Sequence, residues 1–204
     1  RDIGPLEKIL EQHDTELGEK LLVILNRLQG DRVNNIFLKM SEHPSEKVRR
    51  KAVKELLARN SNFVQKLFSL IDDPDEEIRT CILAAIAKQR SSVLENMLLS
   101  YLRKNSAQKD PTHILACYET LGRCGSNNSI PFLRRILLGQ GWNSFKGLGK
   151  LIYREGAAIA LTLLDTWEAK DVLLEASKSK FQVIREAFQS AMKKNDVSGE
   201  STYD

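Results

Sequence analysis

A short phrase that recurs along the chain constrains the fold more than any other feature. It consists of a turn, then an apolar residue followed by arginine, then apolar residues at helical spacing. Its two clearest copies are His43-Pro44-x3-Val48-Arg49-x2-Ala52-x3-Leu56 and Asp73-Pro74-x3-Ile78-Arg79-x2-Ile82-x3-Ile86. Weaker copies read Tyr153-Arg154-x2-Ala157-x3-Leu161 and Ile184-Arg185-x2-Phe188-x3-Met192. One supersecondary unit repeated in this way indicates stacked helix pairs, whose product is a surface rather than a pocket.

Apolar periodicity and turn signals divide most of the chain into helix pairs. We predict an all-α fold, a right-handed α-solenoid of about six stacked antiparallel helix pairs. The pairs are expected near residues 3–28, 32–59, 62–89, 93–123, 128–164 and 168–194. They form one predicted domain over 1–194, followed by a polar, disordered tail over 195–204.

The turns between paired helices carry recognisable end signals. Pro44 removes an amide donor and disfavours helix at His43, so it ends one helix, and Ser45 is placed to cap the next. The run 72–77 is rich in carboxylates, which the positive end of the following helix favours.

The spacing of the repeated phrase is uneven. The places equivalent to Val48 are Val48, Ile78, His113, Tyr153 and Ile184, at intervals of 30, 35, 40 and 31. Extra residues therefore enter the fourth and fifth pairs. Insertions in stacked repeats emerge as loops on one face, which is often the binding face.

The pattern resembles HEAT repeats, especially the short bacterial kind. The matching elements are the Asp/His-Pro turn, the Val/Ile-Arg pair and the small or apolar residues that follow. In that family a turn acid and the helix arginine form a ladder between neighbouring repeats. The resemblance implies that Asp72 or Asp73 pairs with Arg79 and that Glu42 pairs with Arg49.

The resemblance has a gap in the fourth pair, where Ile114 replaces the arginine, so the ladder should break there. The sixth pair lacks the Asp-Pro turn. The family resemblance covers about residues 32–194 and specifies a fold more than a function.

The composition limits the cellular setting of the chain but does not indicate a binding partner. The net charge of +4 is mild, and no apolar run approaches the ~20 residues that span a bilayer. The three cysteines, Cys81, Cys117 and Cys124, form no Cys-x2-Cys pair, which favours buried thiols in a reducing cytoplasm. The chain begins at Arg1 without a Met, as expected for part of a larger polypeptide.

Catalytic and metal-binding patterns are not found in the sequence. His13, His43 and His113 are far apart and share no metal-ligand spacing. The glycine-rich segment 139–150 lacks the first glycine and the Ser/Thr of a phosphate loop. We therefore predict no cofactor, no metal site and no catalytic residues.

One stretch has an unusual charge. Residues 120–154 contain no Asp or Glu, and a glycine-rich loop inside them carries two aromatic side chains. Basic and aromatic residues together favour anion or partner binding. The predicted binding residues are Arg123, Arg134, Arg135, Trp142, Phe145, Lys146, Lys150 and Arg154.

The same residues also have a structural interpretation. Trp142 and Phe145 would fold the loop back onto the stack, Arg134 and Arg135 would form a solvated helix face, and Arg154 would belong to the repeat ladder.

Three functions fit the sequence, and the first is a non-enzymatic scaffold that binds a protein or peptide along its surface. The alternative is a nucleic-acid binder resembling the helical-repeat DNA glycosylases, whose acid would come from Asp165-Thr166-Trp167. That cluster is also expected to form a turn with Asp165 as the cap. A third resemblance is to the bilin-attaching helical-repeat lyases. Enzymatic activity of these two kinds stays open.

Overall fold

The computed structural model describes residues 15–104, 110–139 and 149–199, and for residues 149, 150 and 195–199 it describes the main chain alone. Within these ranges the chain is all-helical and contains no strand, which confirms the predicted class. None of the described helices is long and apolar enough to cross a membrane.

The helices follow the apolar periods of the sequence. In chain order the α-helices of the described residues are α1 (Thr15–Leu25), α2 (Asp31–Met40), α3 (Glu46–Arg59), α4 (Glu76–Ala87), α5 (Ser92–Lys104), α6 (Pro111–Cys124), α7 (Ile130–Leu138), α8 (Gly149–Leu164), α9 (Trp167–Ser177) and α10 (Gln182–Gly199). Short 3₁₀ segments occupy Ser61–Gln65, Phe68–Asp72 and Asn127–Ser129.

Two boundaries differ from the sequence prediction. The first helix of the third pair is replaced by two 3₁₀ segments, the first of which begins where the Asn60 side chain accepts a hydrogen bond from the Asn62 amide, 2.8 Å away. This local bond competes with regular helix. At the other end, α10 continues past the predicted limit of 194 to Gly199, the first glycine it meets.

The chain divides into two compact units, Arg1–Ala85 and Ile86–Asp204. In the first unit α3 packs against α1, α2 and the 3₁₀ segment Ser61–Gln65. Its core contains apolar side chains at helical spacing, among them Val48, Ala52 and Leu56 of the repeated phrase.

The repeated phrase folds into one specific turn. In the second and third pairs, the side chain at the start of the turn accepts a hydrogen bond from the amide two residues later: His43 Nδ1 from Ser45 at 3.0 Å, and Asp73 Oδ1 from Asp75 at 2.8 Å. Ser45 occupies the N-cap position, but its side chain makes no capping bond, contrary to the sequence prediction.

The arginine of the phrase then closes the turn. Arg49 Nη1 donates to the main-chain oxygens of His43 and Pro44 at 3.0 and 2.8 Å. Arg79 Nη1 donates in the same way to Asp73 and Pro74 at 2.9 and 3.0 Å. The guanidinium thus satisfies carbonyl groups that no helix uses.

The sixth pair uses the same turn without an Asp-Pro. Ser179 Oγ accepts from the Phe181 amide at 3.2 Å, and Arg185 Nη1 donates to the Ser179 oxygen at 2.6 Å. Ser179 therefore takes the place of His43 and Asp73 as the acceptor, because any short side-chain acceptor can reach the amide two residues later.

In the first unit, ion pairs join α3 to the turn before α4 and to the first turn of α4. Arg49 makes a bidentate contact with the Asp73 carboxylate, with Nε and Nη2 each 2.9 Å from an oxygen. Arg50 bonds to Asp75 and lies 2.8 Å from a Glu77 oxygen. Such paired geometry is the favourable form of an arginine–carboxylate contact.

The partners in this ladder differ from the expectation. The Asp73 carboxylate pairs with Arg49 of α3 rather than with Arg79, which contacts the Asp73 main chain instead. Arg49 likewise reaches forward to Asp73 instead of back to Glu42. The cause is the tertiary spacing of the helices, which places consecutive turns side by side.

In the second unit, α8 packs against α6, α7, α9 and α10, and most closely against α6. Small residues allow that approach. A Cβ on Gly122 would lie 2.7 Å from the Ala160 oxygen, and a Cβ on Gly156 would lie 2.5 Å from the Tyr118 ring. Gly122 thus lets α6 approach the backbone of α8, and Gly156 makes room for the Tyr118 ring.

A buried carboxylate holds the turn before α7. Glu95 accepts from the Ser126 amide at 3.0 Å, from its hydroxyl at 2.9 Å and from the Ser129 hydroxyl at 2.6 Å. Ile114, which stands at the arginine position of the fourth pair, is buried. This pair is therefore fixed by other contacts than the repeated arginine turn.

We expect Gly122→Ala to destabilise the second unit by about 2 kcal/mol. The new methyl meets the backbone of α8, which cannot yield as a side chain would. Overpacking costs about 1–3 kcal/mol, while the alanine regains up to ~1 kcal/mol of helix propensity. Urea unfolding measures the difference.

Gly18→Ala is the matched control, since its nearest neighbour is a Val48 side-chain methyl at 3.2 Å. It should leave stability unchanged or slightly higher. Equal losses for both variants would contradict the close-approach argument.

We expect Asp75→Asn to destabilise the first unit at neutral pH. The hydrogen bond from Arg50 holds the pKa of Asp75 below its usual value. A lowered folded pKa contributes stability that is present above the unfolded pKa of about 3.9 and is lost as pH falls through the folded value. The difference between Asp75→Asn and the wild type should therefore shrink in acid, as measured by urea unfolding at several pH values.

Asparagine keeps the capping acceptor for the Ile78 amide, so the substitution removes mainly the charge. Glu76→Gln, an exposed position in the same helical turn, is the control. A loss at Asp75 that persists unchanged in acid would rule out the ion pair as its cause.

Candidate binding surface

The structure distributes the predicted binding residues over three helices. Arg123 lies at the end of α6, Arg134 and Arg135 lie on α7, and Arg154 lies on α8. Lys150 belongs to the first turn of α8, with its side chain outside the described part. Trp142, Phe145 and Lys146 fall outside the described residues.

Two of the arginines have acidic partners on the surface. Arg123 contacts Glu119 one helical turn earlier at 2.8 Å, and Arg134 of α7 contacts Glu175 of α9 at 2.6 Å. Both pairs are solvent-exposed, where an ion pair contributes little stability but neutralises charge. Arg135 is exposed beside Arg134 on α7.

Arg154 is buried, with 6% of its surface exposed. Its guanidinium donates to the Leu137 oxygen and, at 3.2 Å, to the Gly139 oxygen, so it holds the end of α7. Burial lowers the pKa of Arg154. The ladder interpretation expected an acidic partner for Arg154, whereas these two contacts are with main-chain carbonyl groups.

The two thiols of α6, Cys117 and Cys124, are both buried. Cys117 is buried, with its sulfur 3.7 Å from His113 Nε2, which also contacts the Tyr101 hydroxyl at 3.1 Å. Burial raises the pKa of Cys124 to about 11. The Cys124 thiol is therefore protonated at neutral pH, and a protonated thiol is a weak nucleophile.

The described side chains of the types that bind metals do not cluster either. Over residues 15–104, 110–139 and 149–199, no three His, Cys, Asp or Glu side chains are placed to hold an ion. His13 lies outside these ranges.

A depression of about 320 Å³ lies beside Arg59 in the first unit, lined also by Asn26, Gln29 and Asn34. Arg59 donates to the Leu28 and Leu25 oxygens at the end of α1, at 2.9 and 3.0 Å. Its charge is therefore directed at carbonyl groups rather than at the depression.

The turn before α9 differs from its sequence prediction. Thr166, not Asp165, caps the helix: its hydroxyl accepts from the Ala169 amide at 3.3 Å. Asp165 has a φ of 51°, a left-handed conformation that Asp tolerates better than most residues. Its carboxylate lies 2.7 Å from Lys170 Nζ in an exposed ion pair.

The helix after this turn, α9, presents exposed apolar side chains that we did not predict from the sequence. Trp167 is 88% exposed and Leu174 is 52% exposed. Seven residues apart on α9, they lie on the same helix face, about 10 Å from each other along the axis. We call Trp167 and Leu174 the α9 stripe. The available signal was their spacing, opposite the buried Ala169, Val172 and Ala176.

One flank of the α9 stripe is acidic. Glu168, Asp171 and Glu175 follow Trp167 at positions on the same side of the helix. Glu175 is paired with Arg134. Within the part of the chain that the structure describes, Glu168 and Asp171 are exposed and have no ion-pair partner. The surface therefore combines a large apolar side chain with unneutralised negative charge.

Comparison with known proteins adds no family. No model of a protein family matches the chain, and no curated protein sequence matches it.

We expect Arg154→Ala to destabilise the second unit by about 2–3 kcal/mol, because it leaves buried carbonyl groups at the end of α7 without their donor. Arg123→Ala, which removes an exposed pair, should cost at most about 0.5 kcal/mol. Thermal or urea unfolding of the two variants tests this. Equal, small effects would contradict the role of the Arg154 hydrogen bonds in stabilising the second unit.

Proposed function

We propose that this protein is a non-enzymatic scaffold that binds a protein partner through its helical surface. In this proposal the helix pairs stack as a right-handed α-solenoid of about six HEAT-like repeats. The turn shared by the second, third and sixth pairs supports a repeated unit. A reducing, cytoplasmic setting remains our prediction.

The observation that carries the proposal is the contrast between the α9 stripe and the basic stretch. Trp167 and Leu174 are apolar and exposed, as side chains of protein interfaces are. Of the arginines described between residues 123 and 154, Arg123, Arg134 and Arg154 have partners within the fold. Charge that is already paired attracts phosphate less strongly.

Nucleic-acid binding is the second candidate, supported by the acid-free stretch 120–154 and the exposed Arg135. Its proposed acid fits the glycosylase role poorly. Asp165 is exposed and paired with Lys170, whereas a catalytic carboxyl is usually shielded from water.

A titration of labelled DNA duplex separates the two candidates. We expect weak binding at about 0.15 M ionic strength, with a dissociation constant near or above 10⁻⁴ M, and little change in the variant Arg134→Ala/Arg135→Ala/Lys146→Ala. In parallel, crosslinking in lysate of the source cells should yield a discrete protein adduct.

The contrary result is tight binding to the duplex with a steep dependence on salt that the triple variant abolishes. Together with an absence of protein adducts, it would replace the scaffold by the nucleic-acid binder.

A further inference from the structure

The surface around the α9 stripe has a chemistry that selects among partners. Trp167 and Leu174 form an apolar strip, and Glu168 and Asp171 line one side of it. Lys170 stands on the other side and is paired with Asp165, while Lys178 lies beyond Leu174 at the end of the helix. The end of the stripe nearest Trp167 is therefore the negative end.

We propose that the α9 stripe docks an amphipathic α-helix of a partner protein, with apolar residues against Trp167 and Leu174 and lysine or arginine residues against Glu168 and Asp171. This inference rests on the proposed scaffold function and names the chemistry of its partner. Two apolar positions seven residues apart match the repeat of a facing helix.

Charge complementarity favours a partner helix that carries basic residues. A facing helix that carries acidic residues would place them against Glu168 and Asp171, and like charges across an interface cost affinity. Because both carboxylates are exposed and lack a described cation partner, a basic partner gains attraction without first breaking an ion pair.

The geometry of the turn supports docking. The left-handed Asp165 and the Thr166 cap fix the start of α9, so Trp167 is held on a defined helical turn rather than on a loose loop. A rigid aromatic anchor loses little conformational entropy on binding.

Two labelled helical peptides are the probes. Both carry leucines at helical spacing on one face; one has lysines on the flank of that face and the other has glutamates. Fluorescence anisotropy with the full chain should show that the basic peptide binds about tenfold more tightly. Trp167→Ala and Leu174→Ser should each weaken its binding by about five- to tenfold.

Charge reversal is the decisive variant. Glu168→Lys/Asp171→Lys should favour the acidic peptide over the basic one. The matched controls are Ile24→Ser, at a position 56% exposed on α1, and Glu76→Lys, at an exposed position of α4. Neither should change the preference, and circular dichroism verifies that each variant keeps its helix content.

Three results would overturn the inference. Equal affinity for the two peptides, or a preference that survives charge reversal, excludes charge selection. Self-association that Trp167→Ala abolishes would assign the stripe to a second copy of this chain. Binding to phospholipid vesicles that depends on Trp167 would assign it to a membrane surface.

Failure of this inference is distinct from failure of the scaffold function. If crosslinking gives the same discrete protein adduct with wild type and Trp167→Ala, the scaffold stands and the α9 stripe is excluded as its docking site.

Discussion

One interaction recurs through the fold: an arginine in the first turn of a helix donates hydrogen bonds to main-chain carbonyls of the turn before that helix. Arg49, Arg79 and Arg185 all donate to the residue six positions earlier. Carbonyl groups in a turn between two helices have no helical partner, and the arginine supplies one. A long, permanently charged side chain with five donors can bond to these oxygens and still reach a carboxylate before the next α-helix, as Arg49 does at Asp73. One side chain therefore links the turn before α3 to the turn before α4.

The second unit adds a different constraint, the close contact of α6 and α8 at Gly122 and Gly156. Helices that approach this closely leave no room for adjustment, so α8 becomes a fixed centre for α7, α9 and α10. Arg154 uses the same kind of bond, because it extends from α8 to main-chain oxygens at the end of α7. The fourth predicted pair differs, since Ile114 stands at its arginine position and the Glu95 carboxylate holds the turn that follows.

These contacts bear on function because they pair some of the charged side chains and leave other side chains exposed to solvent. The basic stretch looked like a ligand site because acids are missing from it in sequence. Folding brings Glu175 to Arg134 and turns Arg154 toward carbonyl groups. The cap of α9, by contrast, holds Trp167 in solvent. An exposed tryptophan that the core does not need is a better basis for a binding proposal than arginines with internal partners.

The sequence by itself determined the helical class and the place of the repeated turns, because the spacing of apolar residues and of arginine is a local property of the chain. The sequence alone could not determine which side chains pair with one another. Whether Asp73 pairs with Arg49 or Arg79 depends on how helices separated in sequence come together, and Ser179 replaces an Asp-Pro turn by a hydrogen bond that no motif records. Burial is likewise a tertiary property. Only the folded chain distinguishes the buried Arg154 from the exposed Trp167, since exposure depends on neighbours that lie far away along the sequence.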